Sequence, residues 1–357
     1  MIYNDGTYEE EDSVWFVGNT DNCLYCMDKN GYTSLVTMLP VEGNTNDTFR
    51  QNPMCIKDGH CVVCLPDRAK KIYIYNLLDK CMDEISMPSD TQRLGIYNAW
   101  IYNGEIWCIT YKTGELFRCS VQNRCVNKVY KIYDNSEFSS GEAIMNGRYL
   151  YFVTKVKGEI AEFDMYTEKI KRYELLCDEG FGTIKADGDI FYLTGYKKSI
   201  YVWNRADNSV KVIDFEDKMH FKKELTGIKY TRFFQSRIID QYVLVIPHNN
   251  NIYISDDVVV YDRNNNSVNV YNLRYKDEER LPEEYLVYNY SCNNHAVIQD
   301  CKRNRFINLN LETGDVSYIE MRVDKKMNNS QWKEKRIYGL CCENSFLTLD
   351  DFLSSIR

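Results

Sequence analysis

Short apolar runs alternate with polar, turn-forming clusters along nearly the whole chain, a pattern that predicts β-strands rather than helices. One stretch shows the unit most plainly. Ala99-Trp100-Ile101-Tyr102 is an apolar run that stops at Asn103-Gly104, a pair suited to the positive φ values of a tight hairpin. Ile106 to Tyr111 reads as a second strand, Lys112 to Glu115 as a polar loop, Leu116 to Ser120 as a third strand and Cys125 to Ile132 as a fourth.

The unit recurs. Asp58-Gly59, Asn146-Gly147 and Asp187-Gly188 repeat the first turn, each followed by a β-rich run such as Cys61-Val62-Val63-Cys64 or Ile190-Phe191-Tyr192-Leu193. The third strand sets the register: an apolar residue is followed four positions later by a short acceptor side chain. The pairs are Leu24/Asp28, Ile72/Asn76, Leu116/Ser120, Ile160/Asp164, Ile200/Asn204, Val258/Asp262 and Phe306/Asn310. A side chain of that kind accepts hydrogen bonds from the amides of the following turn. Successive starts lie 48, 44, 44, 40, 58 and 48 residues apart, the length of four-stranded repeats and of no common helical solenoid.

On these repeats the chain resembles the β-propeller superfold. The resemblance implies an all-β, seven-bladed propeller of four-stranded antiparallel blades, in one domain spanning residues 1–357. Blade 2 is expected at 53–88, blade 3 at 97–133, blade 4 at 141–176, blade 5 at 181–216, blade 6 at 232–273 and blade 7 at 288–322. Blade 1 is expected at 13–39, completed by 336–343, because Ile337 to Cys342 can supply a first strand beside Val14 to Val17 and close the ring. Met1 to Asn4 competes for that role but is short and runs into an acidic stretch. Leu349, Phe352, Leu353 and Ile356 fall at helical spacing, so a short C-terminal helix is expected over 348–356. No WD-repeat, kelch or sialidase signature is present, so the superfold brings no activity with it.

Composition narrows the function classes. Aromatic residues make up 14% of the chain and 29 are tyrosines, which suits half-buried pleated surfaces. A net charge of −8 with interleaved signs argues against binding nucleic acid or an anionic membrane. Fourteen cysteines without an export signal point to reduced thiols and a cytoplasmic protein. Cys23-x-x-Cys26 and Cys61-x-x-Cys64 have the spacing of zinc ligands, but each pair falls on a predicted strand, where positions three apart face opposite sides. They read as buried small hydrophobes, and no metal or cofactor is expected.

The candidate site follows from the architecture. In a propeller, connections from second to third strands, and from each fourth strand to the next first strand, share one face. Residues entering the first strands are Asn98 with Trp100, Ser140 with Glu142, Gly182, Arg232 with Phe234, Asn289 and Tyr338; they suit a polar ligand. His220 and His248 lie in long connections and join the candidate set, whereas His60 and His295 fall in hairpin turns. The excursions 214–232, 247–257 and 274–288 raise one side of the rim. Glu142 alone does not supply the paired carboxylates of glycoside hydrolysis. The expected function is therefore a noncatalytic, monomeric binding scaffold that offers its looped face to a protein, peptide or glycan. The competing reading is an enzyme acting on carbohydrate or a small polar metabolite at the channel mouth.

Overall fold

The computed structural model describes residues 7–323 apart from 11, 19–20, 29–31, 43–50, 89–93, 112, 134–139, 176–178, 222, 225–231, 248–252, 274–284, 289–293, 301–304 and 321. The described residues form seven blades of four antiparallel strands, each blade running from first to fourth strand in chain order. Blade 4 is representative: Ser140–Asn146, Tyr149–Thr154, Glu159–Asp164 and Lys169–Glu174. Contacts divide the chain into two compact units, one of Met1–Cys108, Phe117–Lys128 and Glu320–Arg357, the other of Ile109–Leu116 and Val129–Ile319.

Every third strand ends on the residue that the repeat singled out: Cys23–Asp28, Lys71–Asn76, Glu115–Ser120, Glu159–Asp164, Ser199–Asn204, Asp257–Asp262 and Arg305–Asn310. The terminal side chain then accepts turn amides. Asp164 Oδ1 accepts from Tyr166 N (2.9 Å) and Thr167 N (3.2 Å), and Asp262 and Asn310 each bind the equivalent pair of amides. Asn76, Asn204 and Ser120 accept in the same turn, and Asp28 reaches the amide of Tyr32. Four residues after the acceptor the chain passes through the left-handed region in six blades, at Lys80, Arg124, Glu168, Asn208, Asn266 and Gly314. Only one of these is glycine, so the capped turn imposes a conformation that the other side chains tolerate at a cost.

The core lies between blades rather than within one sheet. Tyr151, Val153, Ile160 and Tyr173 of blade 4 pack on Phe181, Ile184, Phe191, Leu193, Tyr201 and Trp203 of blade 5. Period-2 alternation sends the next side chain the other way: Tyr192, between Phe191 and Leu193, packs toward blade 6 with Val243, Val245 and Val259. Middle strands are thus buried on both faces, whereas the fourth strand of blade 4, Lys169–Glu174, is mostly exposed and charged, which discourages edge pairing there. Polar ties cross the same interface. Glu162, nearly buried, accepts from Arg205 Nε at 2.6 Å and from the Tyr173 hydroxyl at 3.4 Å.

Blade 1 departs from expectation. The place beside Val14–Val17 is held by Thr7–Glu9, with Thr7 opposite Phe16, Tyr8 opposite Trp15 and Glu9 opposite Val14. The acidity that argued against an N-terminal strand turns out to be a contact. Glu10 accepts from Trp15 Nε1 (2.9 Å) and Ser13 Oγ (3.2 Å) and pairs with Lys57 of blade 2. On the opposite edge Arg322–Val323 adds a fifth, parallel strand against Tyr32–Thr33. The strand expected at 337–342 and the helix at 348–356 lie outside the described residues.

The capped turn makes a direct prediction. Burial works to raise the Asp164 carboxyl, but the Tyr166 and Thr167 amides, the Thr167 hydroxyl and Arg148 outweigh it and hold the group below the ordinary carboxylate range. A depressed folded-state value means the contribution is present above the unfolded value of about 3.9 and is lost as pH falls through the folded value. Asp164→Ala should therefore cost about 1–2 kcal/mol in urea unfolding at pH 7. The gap to the parent protein should narrow as the pH falls below about 3.9.

Candidate functional site

At one end of the blades, second strands hand over to third strands and each blade hands over to the next. Within the second unit this end is held together by backbone contact. Gly180, just before the first strand of blade 5 (Phe181–Asp187), leaves room for the connection of blade 4: a Cβ there would lie 2.1 Å from Lys155 C and 2.4 Å from Thr154 O and Val156 N. Gly195 repeats the approach, its Cβ position lying 2.3 Å from Gly180 O, and Gly141 would meet Phe181 O at 2.4 Å. The lead into blade 6 then docks on this shelf: Arg232 N donates to Gly195 O at 3.0 Å, and its guanidinium to Tyr196 O.

Two lysines are buried in the shelf. Lys198, 6% exposed, pairs with Glu216 at 3.0 Å and lies 5.5 Å from the Phe221 ring. Lys155, 7% exposed, lies 5.4 Å from the centroid of Tyr111, which follows the second strand of blade 3 (Glu105–Thr110). Burial pushes the Lys155 amine down to about 8. Beside the shelf, two long connections pair as a small ribbon, Lys223–Glu224 against Tyr253–Ile254, fastened by Ser255 Oγ donating to His220 O at 3.2 Å. Of the connections expected to raise one side of the rim, this two-residue antiparallel pairing is among the parts that are described.

The structure distributes the candidate residues. Glu142 and Phe234 fall at register shifts near the starts of the first strands of blades 4 and 6, between Ser140 and Ala143 and between Phe233 and Gln235. Gly182 holds the same position in blade 5. At Glu142 the bulge re-aims the side chain at the strand end. Glu142 accepts from Ile184 N at 3.1 Å and pairs with Lys185, so its carboxylate ties blade 4 to blade 5. Arg232 attaches at Gly195, the partner of Phe181, three positions nearer the strand start than Ile184, so the two charges sit at different depths of the same sheet. Asn98 and Trp100 lie half-buried on Ile96–Tyr102 of the first unit. His220 is exposed and takes part through its carbonyl. Asn289, Tyr338 and His248 lie outside the described residues. His295, expected in a turn, begins the second strand of blade 7, with its ring between Asn308 (3.1 Å) and Asn310 (3.5 Å).

The paired cysteines lie on strands, Cys23 and Cys26 on Cys23–Asp28 and Cys61 and Cys64 on Cys61–Leu65. Cys55 stands directly opposite Cys64, and burial drives both thiols up, Cys55 to about 12, which leaves them un-ionised.

No known protein family matches the sequence, and no curated protein does. Solved structures are similar in fold. A streptogramin B lyase is similar over 83% of this chain and 90% of its own, with a TM-score of 0.59 and 14% identity. A catalytically inactive virginiamycin B lyase from Staphylococcus aureus, with quinupristin, gives a TM-score of 0.60 at 13% identity, over 83% and 91%. A chain of the mitotic checkpoint complex gives 0.58 at 7% identity, over 90% and 89%. The fold is a seven-bladed β-propeller. Identities this low establish the fold and nothing of the activity.

Gly180→Ala drives a methyl into backbone that cannot yield and should cost about 3 kcal/mol in thermal or urea unfolding. Gly59→Ala, in an open turn, should cost about 1. Between pH 8 and 10.5 the folded protein binds fewer protons at Lys155 than the unfolded chain does, so stability rises with pH across that window, and the full penalty applies below it. Lys155→Met should be more stable than the parent at pH 7, by on the order of 3 kcal/mol, and the difference should shrink toward pH 10.5.

Proposed function

We propose that this propeller is a noncatalytic binding module that presents its connection end to a protein, peptide or glycan, acting as a monomer in the cytoplasm. The observation that carries this reading is the glycine-packed shelf with its ribbon. It is a rigid platform on which Tyr111 and Tyr196 are half-buried and Val156 is 51% exposed, the mixture of aromatic, apolar and polar groups that recognition surfaces use. Rigidity matters because a surface that is already ordered loses little entropy on binding. Glu142 and Arg232, the charged pair that an enzyme acting on carbohydrate or a small polar metabolite would draw on, both make framework contacts. That supports binding over turnover.

The test uses the full chain on peptide and glycan arrays, with hits measured by calorimetry. Tyr196→Ala and Val156→Asp should each weaken binding at least tenfold. Tyr166→Ala should leave it unchanged, because Tyr166 lies in the capped turn at the other end of the third strand, Glu159–Asp164. Binding that survives both connection-end changes, or release of a cleaved product from a captured glycan, would overturn the proposal.

A further inference from the structure

Asn-Gly occurs twice among the described residues, and the fold treats the two copies differently; a third, Asn30-Gly31, lies outside them. Asn103 and Gly104 form the whole turn between Ile96–Tyr102 and Glu105–Thr110 of blade 3, both exposed and both at positive φ, 52° and 73°. Asn146 instead ends the first strand of blade 4, opposite Tyr149, and its amide nitrogen donates to Gly188 O of blade 5 at 2.8 Å. The other asparagines in the left-handed region, Asn22, Asn208, Asn266 and Asn294, each precede a residue that carries a Cβ. Asn208 and Asn266 are also held, by Trp203 Nε1 and the Tyr261 hydroxyl, each at 3.0 Å. Among the described residues no hydrogen bond holds the Asn103 side chain, and a Cβ at Gly104 would meet nothing within 4 Å.

We propose that Asn103 is a site of spontaneous deamidation and that its isoaspartyl product loosens blade 3. Asparagine is a chemically labile residue. Gly104 N gives its proton to base, attacks Asn103 Cγ and forms the C–N bond of a five-membered succinimide; the side-chain nitrogen takes up a proton and leaves as ammonia. Water then adds to one of the two ring carbonyls and opens the ring to aspartate or isoaspartate, and no oxidant or reductant takes part. Glycine at the attacking position presents no Cβ against the forming ring. The side chain must also rotate until Cγ meets the Gly104 nitrogen. Asn103 is free to do so, whereas Asn146 must first give up its bond to blade 5. Isoaspartate adds a backbone methylene, which a two-residue turn matched to the strand twist cannot absorb without shifting the ladder. Aspartate, by contrast, tolerates the left-handed region. The proposal is independent of the binding reading.

The experiment keeps the folded, full-length protein at pH 8 and follows both turns over time by peptide mass spectrometry, with aspartate and isoaspartate separated by chromatography. Asn103 is expected to convert at least fivefold faster than Asn146, to a mixture of the two products. The difference should vanish in urea, where the Asn146 bond is gone. Protein carrying isoaspartate at position 103 should unfold at a lower urea concentration than fresh protein. Asn103→Asp, which has the charge without the extra methylene, should unfold close to fresh protein. Asn146 converting as fast as Asn103 in the folded state, a difference that persists in urea, aspartate as the sole product, or an isoaspartyl form as stable as Asn103→Asp would overturn the proposal.

Discussion

A short acceptor side chain at the end of each third strand is the interaction on which the rest depends. Asp164, Asp262 and Asn310 each hold two turn amides and so fix where the third strand stops and the fourth begins. Strand side chains have a period of two, so a slip of one residue would turn every one of them to the opposite face. In a sheet buried on both faces that error would not merely expose apolar groups. It would exchange the two interfaces, sending Phe191, Leu193 and Trp203 toward blade 6 and Tyr192 toward blade 4. The cap is a local contact with a consequence across the blade interface.

The second constraint is close approach at the connection end. Gly141, Gly180 and Gly195 let backbone meet backbone where any side chain would separate the strands. That proximity encloses Lys155 and gives Arg232 a carbonyl to bind. At the opposite end the connections are tight turns closed by their own residues, as with Asn103 and Gly104, both at positive φ. The two ends therefore differ physically: one is a set of tight hairpins linked across blades by side chains such as Asn146 and Arg263, the other a surface where neighbouring blades meet backbone to backbone.

What was legible in the sequence follows the same division. The acceptor residues could be read directly, because each acts on amides within a few residues of itself and recurs at a fixed offset. The left-handed positions Lys80, Arg124 and Glu168 could not, since nothing about those residue types requests positive φ; the turn imposes it. Thr7–Glu9 was hidden because its acidic neighbour Glu10 is satisfied by Lys57, remote in sequence. Lys155 carries no sequence signal of its own. Its enclosure depends on a glycine in the next blade, and no local pattern announces that.

Charged residues near the strand starts were the natural place to look for chemistry, and their fate shows why position alone is a weak guide. A propeller has an interface at every blade, and each needs polar ties to fix the angle between sheets that packing leaves free to slide. Glu142 with Lys185, Glu162 with Arg205 and Asp187 with Arg263 are such ties, each joining neighbouring blades. Removing Arg205 would strand the buried Glu162 carboxylate, so such a residue would behave like a functional one in a mutational survey without touching a ligand, whereas the exposed Asp187 would not.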